Sequence, residues 1–169
     1  MASAAASLPK LFQPLRLRDL VLRNRIAMSP MCMYSCTEDA PGVPNAWHMQ
    51  HYASRACGSP GLIIVEATGV SPAGRISPGD TGLWNEAQKA AFKPIVAAAK
   101  AQGVAMGIQL AHAGRKASTS APWLGGAQLG LGEGEGGWET LAPSPIPFLP
   151  SERPPKEMSK VRGRWCCLV

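Results

Sequence analysis

Apolar positions along the chain follow two periods. Ile26-Ala27-Met28 is a short apolar run closed by Ser29-Pro30. Proline lacks the N–H that an interior ladder needs, so a strand is predicted to end there. Leu62-Ile63-Ile64-Val65 follows Pro60-Gly61 and is apolar at every position, the signature of a strand buried on both faces in a parallel sheet. Val104–Leu110 predicts a third strand. Between these runs the spacing is helical. Asn45 is a predicted N-cap for a helix through Ala56, with Gly58 just past its end and Trp47, Tyr52 and the small residues as its packing face. Asn85 caps a second helix to about Gln102, ended by Gly103. Ahead of all of these, Leu15–Leu17 and Leu20–Leu22 flank Arg18-Asp19 and predict a hairpin capping one end of a core. The order is hairpin, β, α, β, α, β. Each parallel connection needs a covering helix, so the fold class is α/β.

Past Arg115-Lys116 this pattern stops. Gly125 to Gly137 is glycine-rich, and Pro143, Pro145, Pro147, Pro150, Pro154 and Pro155 follow closely without a helical period. The pattern predicts no element there, although a structureless stretch this long is suspect in a compact domain, and there is no internal repeat. Gly130 to Gly134 follows no strand, opens no helix and has acidic Glu133 and Glu135 in or beside it, so it is not a phosphate loop.

Composition narrows the class. The chain has 169 residues, 46% hydrophobic and 17% charged, which suits one ordinary globular domain. No apolar run approaches the ~20 residues needed to cross a bilayer. Met1 to Leu8 has neither a charged n-region nor a long apolar h-region, so no secretory signal is expected. Five cysteines, odd in number and scattered, favour free thiols in a reducing compartment and a cytoplasmic location. Cys32-x-x-x-Cys36 has no second pair at metal-ligand spacing, so no zinc site is expected. The net charge of +6 comes partly from Arg153, Lys156, Lys160, Arg162 and Arg164. Nucleic-acid binding needs such charge on a folded face with aromatic platforms or a known motif, and neither is visible. The balance could equally serve a phosphate-bearing cofactor. Cys166-Cys167-Leu168-Val169 formally fits C-a-a-X, but Val is not among the usual final residues, so membrane attachment is not expected.

Candidate chemistry gathers where the strands stop. Ser29 to Tyr34 holds Cys32 and Tyr34, the second strand runs into Glu66-Ala67-Thr68, and the third ends with Gln109 and His112. Ligands of parallel α/β folds bind at this end of the sheet. Each residue also has a plainer role. Met31, Cys32 and Met33 can simply fill core. Gln109, taken as buried within an apolar strand, is either structural glue or a reader of a planar polar ligand. His48 and His51 share a helix face at i and i+3 and read as packing, since no third metal ligand is obvious. His112 is either functional or a cap for the loop behind it.

Four stretches name a family. SPMCMYS at Ser29 to Ser35, WHMQHYASRA at Trp47 to Ala56, GLIIVEATGVSPAGRI at Gly61 to Ile76 and IQLAHAGRKAS at Ile108 to Ser118 resemble the old yellow enzyme family. The branch is the bacterial type with Cys on the first strand, and LAPSPIPF at Leu141 to Phe148 resembles it too. The likeness runs from about residue 11 to 159 and leaves 160–169 as a tail outside the family pattern. It implies a (β/α)8 TIM barrel, non-covalent FMN at the C-terminal face, NADPH or NADH as electron donor, and an activated alkene as the small-molecule acceptor. It implies that Ser29, Pro30 and Met31 run along the flavin, that Cys32 is the thiol tuning it, and that Tyr34 reaches the substrate side. It implies that Ala67 packs by the flavin and that Gln109 reads its pyrimidine edge.

The departures matter as much. A barrel of this kind has eight βα units, and only three strands with two intervening helices are legible here. In the family the His pair gripping the substrate carbonyl, the tyrosine proton donor and the FMN-phosphate residues lie further along, and none has a counterpart in this sequence. The chain therefore resembles the N-terminal portion of such an enzyme. The expected functions are an FMN-dependent NAD(P)H oxidoreductase (an ene-reductase), or an inactive truncated fragment of one. Homo-oligomers are possible in the full-length family.

Overall fold

The computed structural model describes residues 8–159, so the C-a-a-X signal, the whole 160–169 tail and all but Leu8 of the Met1 to Leu8 stretch lie outside the described residues. A hairpin of β1 (Leu15–Leu17) and β2 (Leu20–Leu22) comes first, antiparallel and turning through Arg18 at φ +54°. Three parallel strands follow, β3 (Ala27–Met28), β4 (Leu62–Gly69) and β5 (Ala105–Ala111), in the order β3-β4-β5. The crossovers are α1 (Ala46–Cys57) and α2 (Glu86–Ala101). A two-residue parallel pair, β6 (Leu141–Ala142) with β7 (Lys156–Glu157), closes the described chain.

Both helices start as their sequences predict. Asn45 and Asn85 each form a capping box, reciprocated by His48 and by Gln88. Such a box satisfies orphan N–H groups at both partners. The buried stripe of α1 is His48, Tyr52 and Ala56, at i, i+4 and i+8. Trp47 is not part of it and stands 57% exposed, because five residues of helix turn it well away from Tyr52. From α2 come Phe92, Ile95 and Ala99, which meet Ile63, Val65 and Val104 of the sheet side. Core residues of this size contribute roughly 1.5–3 kcal/mol each when removed from water.

The helices pack on one sheet face only. Leu62 and Ile64 alternate with Ile63 and Val65 and lie on the other face, opposite Gly107, where they are half-buried. In the described residues β3 and β5 each pair with β4 alone. The hairpin sits at the N-terminal end of this sheet. Arg23 donates to the Gln102 carbonyl at 2.8 Å and the Asn24 side-chain amide to the Ser59 carbonyl at 2.9 Å. The C-terminal rim is thereby left clear for other work.

Two expectations need correction. β4 does not stop at Val65 but runs through Glu66-Ala67-Thr68 to Gly69, because β5 offers ladder partners along this whole length. The Gly/Pro-rich stretch is not structureless. It is tied down residue by residue, with Trp138 donating its indole N–H to the Ala73 carbonyl at 3.1 Å and the Arg153 backbone N–H donating to Gln128 at 2.8 Å. Arg75 stacks on Trp138 with its guanidinium carbon 4.8 Å from the ring centre. These anchors come from single side chains at irregular spacing, which no periodicity reports.

Candidate active site

The chain leaving β3 passes over the C-terminal rim in an irregular path. Tyr34 takes φ +50°, a left-handed conformation that a bulky residue adopts only when its surroundings impose it. The imposing element is the loop after β4. Gly79 lies so close that a Cβ there would stand 2.5 Å from the Tyr34 carbonyl oxygen, so only glycine fits. The Gly79 carbonyl accepts the Cys36 N–H at 2.9 Å. Asp80 in turn orders that loop, accepting from the Ile76 N–H at 2.7 Å and the Ser77 hydroxyl at 2.8 Å. The Tyr34 ring meets Trp123 edge to face at 5.5 Å. Tyr34, Cys36, Ser77, Ala121 and Trp123 line part of a cleft of about 330 Å³.

The neighbouring strands are set by one irregularity. The β4–β5 register pairs Val65 with Ile108 and then Ala67 with Gln109, so Glu66 is an extra residue in β4. A bulge of this kind re-aims the residues beyond it. Ile108 packs on the helix side, so Gln109, next along the strand, belongs to the opposite face, and Ala67 lies directly across from it. Glu66 itself turns inward and is fully buried. Its carboxylate accepts the Met33 N–H at 2.9 Å and the Tyr52 hydroxyl at 3.2 Å.

Burial governs the electrostatics. It pushes the Cys32 thiol above its ordinary range, helped by the charge of Asp80, while the Ala67 N–H and the Tyr34 hydroxyl pull the other way. Cys32 is therefore a thiol and not a thiolate at neutral pH. Burial raises Tyr34 as well and pushes Cys36 up to about 12. Glu66 is raised by burial to about 7, against the hydrogen bonds from Met33 and Tyr52. His48 is lowered by burial to about 4.

The structure thus brings Cys32, Tyr34, Ala67 and Gln109 to one rim, together with the Ser29-Pro30-Met31 backbone. Gln109 is exposed, contrary to the buried position expected, because β5 is an edge strand in the described chain. Met31 is 53% exposed and Cys32 half-buried, so neither fills core, whereas Met33 packs against it. His48 accepts the Asn45 N–H at 3.1 Å within its capping box, and His112 accepts the Gly114 N–H at 3.1 Å. Among the described residues no cluster of His, Cys, Asp or Glu could hold a metal ion. Glu66 is the residue that sequence pattern undervalued. The available signal was an acidic residue straight after four apolar ones.

Comparison with known proteins gives the family. Residues 10–141 match the NADH:flavin oxidoreductase / NADH oxidase family. The NADPH dehydrogenase of Geobacillus thermodenitrificans is 48% identical over 151 residues, covering 89% of this chain and 39% of that protein. That of Listeria innocua is 45% identical over the same share of each. The chain therefore spans about two fifths of the length of the curated relatives it matches. Among solved structures, the old yellow enzyme of Trypanosoma cruzi superposes with a TM-score of 0.73 at 32% identity, over 92% of this chain and 44% of that one. Morphinone reductase in complex with tetrahydroNAD gives 0.73 at 28%, over 94% and 43%. The three parallel strands and their two helices correspond to the N-terminal part of those TIM barrels. By sequence and by fold, this chain belongs to the NADH:flavin oxidoreductase / NADH oxidase family.

Proposed function

We propose that the chain supplies the flavin-facing rim of an FMN-dependent NAD(P)H oxidoreductase that reduces an activated alkene, and that it does not turn over by itself. The observation that carries this is the placement of Ala67 opposite Gln109 directly after the Glu66 bulge, with the Cys32 sulfur beside the Ala67 N–H. These residues fit an isoalloxazine. Gln109 is an exposed primary amide, able to donate and accept at one polar edge. Ala67 is too small to block a flat ring, and Cys32 offers a polarizable, weakly donating sulfur.

When bound, FMN supplies the hydride chemistry between nicotinamide and alkene. The chain's own contribution is to bind and orient. Gln109 reads the polar edge of the ring, the Ser29-Pro30-Met31 backbone lies along it, and Cys32 acts as a neutral hydrogen-bond donor that tunes it. Tyr34, held in its constrained conformation by Gly79, faces the substrate side. Residues 11–159 form this partial flavin-binding domain, with 160–169 outside it, in a cytoplasmic enzyme.

The absence of activity from the chain alone is favoured by the open sheet and the 39% coverage of its relatives. The family resemblance implies that the phosphate-binding and substrate-gripping residues lie beyond the matched stretch. The test is to incubate the purified chain with FMN, NADPH and 2-cyclohexenone. The expected result is no enone-dependent NADPH oxidation and loss of flavin on desalting. Stoichiometric flavin retained through desalting, with turnover, would overturn the proposal that the activity needs the rest of the barrel.

A further inference from the structure

Behind the Met31–Tyr34 segment lies a polar cluster that touches no open cleft. Glu66 Oε2 accepts the Met33 N–H at 2.9 Å, and Oε1 accepts the Tyr52 hydroxyl at 3.2 Å. The Tyr52 oxygen accepts the Glu66 N–H at 3.0 Å. Glu66 and His48 are fully buried and Tyr52 is 1% exposed. His48 Nδ1 accepts the Asn45 N–H at 3.1 Å. The same Nδ1 lies 3.0 Å from Asn45 Oδ1, and Nε2 points at Glu66 Oε1 from 3.7 Å. The separation is too long for a hydrogen bond.

Simple stabilisation does not explain this arrangement. Burying a carboxylate is costly even when it is well partnered, and β4 is apolar at each of the four preceding positions. One of the carboxylate's two hydrogen bonds leaves the α1–β4 pair, and it lands on the backbone between Cys32 and Tyr34.

We propose that Glu66 is a positioning residue for the candidate site. Its carboxylate, held by Tyr52 and flanked by His48, fixes the Met33 N–H and thereby the backbone that presents Cys32 and Tyr34. The bearing on flavin chemistry rests on the proposed function, whereas the hydrogen bond and its test do not. The titratable groups facing Glu66 are Tyr52 and His48 from α1, Cys32, Tyr34 and Cys36 from the segment after β3, and Asp80 from the loop after β4. Burial keeps the two thiols and Tyr52 protonated well above neutrality.

The test uses the 169-residue chain without flavin, dilute enough to stay monomeric. The amide signal of Met33 is followed by NMR from acid to alkaline pH, and Cys32 alkylation by iodoacetamide is timed by mass spectrometry at one fixed neutral pH. In the unmodified chain the Met33 amide shifts with a midpoint near neutrality. Glu66→Gln abolishes that titration while its amide oxygen still accepts the Met33 N–H, and Glu66→Leu, which removes the acceptor, speeds Cys32 alkylation by about fivefold, the factor equivalent to one ordinary hydrogen bond. Tyr52→Phe keeps the titration but moves its midpoint upward, since the lost hydrogen bond favours the ionised carboxylate. A Met33 amide that does not titrate, or Cys32 reactivity unchanged in Glu66→Leu, would overturn the proposal. Should Glu66→Leu not fold, an unmoved midpoint in Tyr52→Phe would overturn it equally.

Discussion

Cys32 shows what position does to a side chain. Locally, MCM is indistinguishable from core filling. The outcome is set by the backbone after Ser29-Pro30, which sends Met33 inward against the core and leaves Cys32 half-buried beside Ala67. In a completed barrel, Cys32→Ser should leave FMN bound but shift its reduction potential, read by spectroelectrochemistry. An unchanged potential would reduce Cys32 to packing. Glu66 and His48 make a second prediction at this scale. Glu66 has its pKa raised to about 7, so between its ordinary value and 7 the folded chain holds a proton that the unfolded chain has lost. Stability from this group falls as pH rises through that window. His48 is lowered to about 4, so the unfolded chain protonates first and stability rises from pH 4 to its ordinary value near 6.5. The two slopes oppose each other. Urea melts of Glu66→Gln should therefore rise more steeply with pH across the overlap than those of the unmodified chain, since the variant lacks only the Glu66 contribution. In Glu66→Gln the His48 slope remains, and stability should increase with pH by about 1–3 kcal/mol. A flat profile in that variant would contradict the assigned directions.

Among elements, the helices were the most legible. Their signals are local: Asn45 with His48, Asn85 with Gln88, and apolar residues at helical spacing. Strand limits were less so, because β4 is extended by partners on β5 that lie far along the chain. The bulge that places Ala67 opposite Gln109 leaves no periodic trace, nor does the burial of Glu66. The rim was legible as a set of strand ends, but which of its residues face a ligand came only with the register. Asn45 joins the two levels. It caps α1 and also donates its side-chain amide to the Ser35 carbonyl at 2.7 Å, tying the site segment to the helix. Asn45→Ala and Asn85→Ala should each cost about 1 kcal/mol from the lost cap. Only Asn45→Ala should also raise amide exchange across Met33 to Cys36. Equal exchange in the two variants would show that the cap and the site are independent.

At the scale of the whole molecule, the described chain is a core with one uncovered side. Barrels abolish sheet edges by closing, and the β3-β4-β5 sheet presents edges at both ends in the described residues. Beside α2 and β5, Phe92, Val96, Met106 and Ile108 line an open groove of about 540 Å³. Leu110 is 46% exposed at the rim. Apolar surface of this kind drives association. Size-exclusion chromatography of the isolated chain should show self-association or aggregation, with a broad, weakly cooperative thermal transition. A monomer with a sharp melt would show that the sheet needs no further cover. The family motifs made the barrel legible from sequence, while the lack of closure followed from how few strands the sequence contains.

The central claim is that these residues form the flavin-facing rim of an oxidoreductase barrel. It is tested most directly by grafting residues 11–141 into the Geobacillus thermodenitrificans NADPH dehydrogenase in place of its matching segment, then measuring flavin content and NADPH-dependent enone reduction. The account predicts a yellow chimera with bound FMN and turnover, and loss of most of the flavin on Gln109→Leu. A chimera that folds cooperatively yet binds no flavin, or one whose flavin is indifferent to Gln109→Leu, would contradict it.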